Sequence, residues 1–80
     1  MKDKDIKMVD VTLHIDEEIG LDQREKLRDT VLGNDGVMAA AIQLKTPHVM
    51  IVEYDPDRVT SAQLLEMVTA TGVHAELSGF

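Results

Sequence analysis

The chain has 80 residues, enough for one domain that buries only about 60–65% of the surface its unfolded form exposes. Its 15 acidic against 8 basic residues give a formal charge of -7, which disfavours nucleic acid and anionic membrane surfaces as partners because both demand a basic face. With no cysteine there are no disulfides, thiolate ligands or thiol nucleophiles, so stability must come from packing or self-association.

The opening MKDKDIKM has lysines but no apolar stretch behind it, so no secretory signal is expected, residues 1–7 are expected to be flexible, and the cytoplasm is the expected compartment. Val9, Val11, Leu13 and Ile15 alternate with Asp10, Thr12 and His14, the period of a half-buried strand. Asp22 followed three residues later by Glu25 predicts a capped helix start, and Leu27, Val31 and Leu32 supply a short helical stripe. Gly33-Asn34-Asp35-Gly36 then stops the helix.

The runs 37–44 and 49–54 are apolar and are separated by Lys45-Thr46-Pro47-His48, which predicts a hairpin with its turn at Pro47. Thr60 and Gln63 form a second capping box ahead of Leu64, Leu65, Met67 and Val68, in a helix that should stop at Gly72. Val73, Ala75 and Leu77 alternate with His74, Glu76 and Ser78 in a last strand. No apolar run approaches the roughly 20 residues of a spanning helix, so no membrane association is expected.

The order β-α-β-β-α-β, with each helix forming a crossover between parallel strands, predicts an α+β domain of the ferredoxin-like kind. The expected sheet is antiparallel and four-stranded, in the order 4-1-3-2, with both helices on one face and the other face open. Residues 1–80 are read as one domain.

The sequence at this point resembles the heavy-metal-associated domain family of small copper and mercury carriers and metal-pump modules. The resemblance rests on Gly36-Val37, on VEYDPDRVT from Val52, on QLLEMVTATGV from Gln63, and on their spacing, and it extends from Val9 to Gly79. It implies the same fold and relatives that handle metals. In that family two cysteines spaced C-x-x-C hold the ion in the loop entering the first helix, because soft thiolates select monovalent copper. The equivalent positions here fall near Leu21 and Arg24, neither of which replaces a thiolate, so copper-carrier activity does not transfer.

The inferred topology brings the end of strand 1 beside the starts of strands 3 and 4, which gathers His14, His48 and His74 at one end of the sheet with Asp16. His14 and His74 are expected on the open face as possible cross-strand neighbours, and His48 in the turn. Such imidazoles with a carboxylate suit zinc, nickel or divalent copper; solvated histidines are the alternative. Asp16, Glu17, Glu18 and Asp22 match no calcium loop, and favourable charge at a helix start accounts for Asp22 and Glu25. Met38, Met50 and Met67 lie in or beside runs expected to pack, which favours packing over thioether ligation.

Ala39, Ala41, Val49 and Ile51 form an outward apolar set that reads as an interface for a protein partner or a second copy. If that strand is turned over, Met50 and Val52 are exposed instead. No phosphate loop, serine elbow or acid–base pair marks an enzyme. The expected function is a non-enzymatic binding module for protein contact or self-association, with divalent metal binding or transport as the alternative. A dimeric domain that binds a small metabolite is a third class.

Overall fold

The computed structural model describes residues 8–43 and 45–78. The expectations for residues 1–7, the Leu44 end of the second strand and Gly79 lie outside the described residues. The elements are β1 (Val9–Ile15), α1 (Leu21–Leu32), β2 (Val37–Gln43), β3 (Thr46–Tyr54), α2 (Ser61–Thr69) and β4 (Ala75–Ser78). They form one sheet in the order β2-β3-β1-β4, the predicted 4-1-3-2 arrangement, with every pairing antiparallel.

Alternation in β1 does what its period requires from Val11 onward, whereas Val9, at the start of the strand, is 40% exposed. Val11, Leu13 and Ile15 are buried, and His14 stands exposed on the other face. Leu13 is aligned with Met50 of β3 and with Leu77 of β4. From the helices, Leu27, Val31, Leu64 and Val68 close over this row, and all four are fully buried. Each such side chain contributes roughly 1.5–3 kcal/mol by leaving water.

The helix starts differ from one another. At α2 the predicted capping box is present: Gln63 N–H donates to the Thr60 hydroxyl at 3.1 Å, and Thr60 N–H donates to Gln63 Oε1 at 2.9 Å. The predicted box at Asp22 is absent. Helix α1 begins at Leu21 with Gly20 as its N-cap and no side-chain cap, so Asp22 already lies inside the first turn and favours it through its charge. At the far end of α2, Gly72 takes a φ of 105°, a left-handed conformation that glycine adopts without steric cost.

Strand β3 starts earlier than predicted, which moves Pro47 and His48 out of the turn and into the strand. Proline is tolerated there because the β2–β3 register shifts between Ile42 and Gln43, and a bulge needs no ladder donor at each residue. A second shift, between Val37 and Ala39, turns Met38 outward to 47% exposure. That corrects its expected packing role, whereas Met50 is fully buried. Gly36 N–H donates to Asn34 Oδ1 at 2.9 Å, Gly36 O accepts from Asp55 N–H at 2.8 Å, and Gly36 packs against Val59.

Candidate functional site

The open face of the sheet is divided. Its β2–β3 half carries Ala39 and Ala41, both exposed, and Val49 and Ile51, both half-buried, while Met50 and Val52 point into the core. Its β1–β4 half is polar, because His14 of β1 stands directly across from Glu76 of β4. The predicted neighbour of His14 was His74; the register instead puts Glu76 there. Alternation identified the face of each residue, but a slide of two residues along a strand leaves every face unchanged, so the register was not legible from the pattern.

Asp16, just beyond the end of β1, completes a group with these two. His14 Nδ1 lies 3.6 Å from Asp16 Oδ1 and 3.7 Å from Glu76 Oε1. One ligand atom from each of the three residues lies within 4.8 Å of the others, and all three side chains are exposed. An ion held tetrahedrally at about 2.0–2.2 Å from each ligand needs ligand atoms roughly 3.3–3.6 Å apart, and the two distances from His14 lie within a few tenths of an ångström of that spacing. Hydrogen bonding to Asp16 holds the Glu76 carboxyl above its usual range, loss of hydration and the Asp16 charge act the same way, and His14 opposes them. Two carboxylates in this proximity are eased by a proton or a cation.

The other two histidines have separate tasks. His48 Nδ1 lies 3.1 Å from the Ile15 carbonyl, an acceptor that requires the proton on Nδ1. Its ring stacks beside that of His14, with centroids 6.4 Å apart and planes at 22°. His74 is turned toward the β1–α1 loop: its N–H donates to Glu17 Oε1 at 2.8 Å and its Nδ1 bonds Glu17 Oε2. Its carbonyl accepts from Asp16 N–H at 2.8 Å. The hydrogen bond to Glu17 raises His74 above its usual value, and the hydrogen bond to His74 lowers Glu17.

The connection between β1 and α1 is therefore pinned to the α2–β4 turn by Asp16 and Glu17 and to the core by Ile19, which is buried at 7% exposure. Leu21 and Arg24 lie in the first turn of α1. Carboxylate and imidazole are the donors at this end of the sheet, a set suited to a divalent ion and not to monovalent copper.

This architecture is that of a cysteine-free ferredoxin-like domain with the fold of the heavy-metal-associated carriers. Solved structures show the likeness. Oxidized MerP from Ralstonia metallidurans aligns at a TM-score of 0.81 and 14% identity over 91% of this chain and 100% of its own. The N-terminal domain of a potential copper-translocating P-type ATPase from Bacillus subtilis, in its Cu(I)-loaded state, aligns at 0.82 and 19% identity over 91% of this chain and 90% of its own. The CopZ metallochaperone aligns at 0.78 and 18% identity over 85% and 100%. At these identities the likeness is one of fold. No protein-family model and no curated protein matches the sequence.

Proposed function

We propose that the protein is a non-enzymatic, cytoplasmic module that binds a divalent metal ion through His14, Asp16 and Glu76. The observation that carries this reading is the convergence of one imidazole nitrogen and two carboxylates on the exposed half of the sheet, within 4.8 Å of one another. The charge of -7 favours a cation, and the fold neighbour named as a domain of a potential copper-translocating ATPase in its Cu(I)-loaded state gives the reading a precedent in kind. Three exposed protein ligands leave further coordination positions to water or to an incoming group, which fits an ion that is picked up and released. Among the described residues, no helix is long and apolar enough to cross a membrane.

The test is a titration of isotope-labelled protein with zinc, nickel and divalent copper. Shifts should centre on His14, Asp16 and Glu76, and a His14→Ala/Glu76→Gln double variant should lose about 10–100-fold or more in affinity. Replacing His74 by alanine should leave binding in place. Unchanged affinity in the double variant would sink the proposal.

The apolar half of the same face supports a second role in protein contact, with a partner or a second copy seated on Ala39, Ala41, Val49 and Ile51. Ile51→Glu should then disperse the assembly. If parent and variant sediment identically as monomers at high concentration, self-association is ruled out.

A further inference from the structure

Beside the sheet face lies a groove of about 370 Å³ between helix α1 and strand β2, lined by Leu21, Arg24, Arg28, Ala40, Ala41 and Ile42. Residues 21, 24 and 28 recur at helical spacing, so their side chains share one face of α1. The Nε of Arg24 is shielded from solvent and has no hydrogen-bond partner among the described residues. Arg28 Nε donates to the Ala40 carbonyl at 3.3 Å, a long bond, and its terminal nitrogens have no hydrogen-bond partner among the described residues. Glu25 also borders the groove, yet neither arginine forms an ion pair among the described residues, in a chain with 15 acidic residues. Arg58, by contrast, pairs with Asp35 at 3.2 Å.

Among the described residues, strand β2 is an edge of the sheet, with β3 on one side and no strand on the other. An open edge offers backbone groups to an extended chain, and a cation laid over it restrains indiscriminate pairing. Arg28 occupies that guarding position over Ala40. Leu21, 60% exposed, and Ala41 add apolar surface along the groove.

We propose that this groove binds an extended, acidic segment of a partner protein, whose backbone runs along the β2 edge and whose carboxylates engage Arg24 and Arg28. Charge complementarity selects the occupant. Guanidinium forks match carboxylates bidentately, and the unsatisfied Arg24 Nε gains the acceptor it lacks. A carboxylate drawing Arg28 off the Ala40 carbonyl would expose the edge only to a segment carrying the right charge. The proposal stands independently of the metal group on the open face.

The probe is a blocked six-residue peptide alternating threonine with glutamate, titrated into isotope-labelled protein beside its glutamine counterpart. Amide shifts are expected along 38–42 and 21–28 with the glutamate peptide, weakening as salt is raised. An Arg24→Gln/Arg28→Gln variant with an unchanged free amide pattern should bind about tenfold or more weakly, the cost of losing charge-assisted hydrogen bonds. Equal binding of the glutamine peptide, or no shift at millimolar glutamate peptide, overturns the proposal. So does reproduction of the whole pattern by acetate alone, which would make the groove a small-anion site.

Discussion

Replacing Gly36 by alanine tests the closest approach in the fold. A Cβ at this position would lie 2.8 Å from Val59 Cγ1, 3.0 Å from Arg58 Cβ and 3.1 Å from Val59 Cβ. Carbon atoms prefer separations of about 3.5–4.0 Å, so the new methyl overlaps its neighbours by roughly 0.4–1.2 Å. Val59 is buried, and the backbone on both sides is held by the 2.8 Å bond from Asp55 N–H to Gly36 O, so neither wall can retreat freely. Overpacking of this kind costs about 1–3 kcal/mol, while the stiffer unfolded chain returns about 0.4–1 kcal/mol, leaving a net loss near 1.5 kcal/mol. In a domain of this size that lowers Tm by roughly 6–12 °C. Gly33→Ala is the control: its nearest contacts are 3.4 Å away, on the Asp29 and Thr30 carbonyl oxygens, and its backbone is helical at φ -69°, so stability should hold or rise slightly. Thermal unfolding followed by circular dichroism suits a protein with one tyrosine and no tryptophan. If Gly36→Ala unfolds at or above the parent temperature, the steric reasoning is wrong.

The Glu17–His74 pair should make stability depend on pH. His74 is raised, so its contribution is complete below the usual value of 6.5 and is lost as pH climbs through the higher folded value. Glu17 is lowered, so its contribution is complete above 4.5 and is lost as pH falls through the lower folded value. The Tm difference between parent and Glu17→Gln should therefore peak between 4.5 and 6.5 and shrink on both sides; a flat difference would count against the pair. Thr60→Ala removes one half of the capping box and should cost about 1 kcal/mol, measurable by urea unfolding, with Gln63→Ala showing a related loss. Asp16→Asn removes the charged group that holds Glu76 high, so carboxyl carbon resonances should show Glu76 titrating at a lower pH than in the parent. No change there would mean that the two carboxyl groups do not touch in solution.

Much of this molecule was legible in the residues because strands and helices write their buried faces into the chain with different periods. Val11, Leu13 and Ile15 gave β1, Thr60 and Gln63 gave the start of α2, and the order of elements with right-handed crossovers left the observed sheet as the expected solution. Asp22 and Glu25 have the spacing of a cap, whereas the chain enters α1 two residues sooner, with Gly20 as the N-cap. Met38 and His48 were misplaced by local register shifts in the β2–β3 hairpin, which no periodicity announces.

The candidate site divides along the same line. The sequence alone determined that no thiolate is available, that His14 faces away from the core, and that acidic residues cluster after β1. Only the tertiary structure decided that Glu76 and not His74 stands across from His14, that Glu17 takes His74, and that Arg24 and Arg28 converge on an open strand edge. The physical reason is range. Faces follow from each residue's own place in a repeating backbone, whereas a cross-strand neighbour depends on how two distant segments slide past one another, and that slide is set by the packing of the whole core.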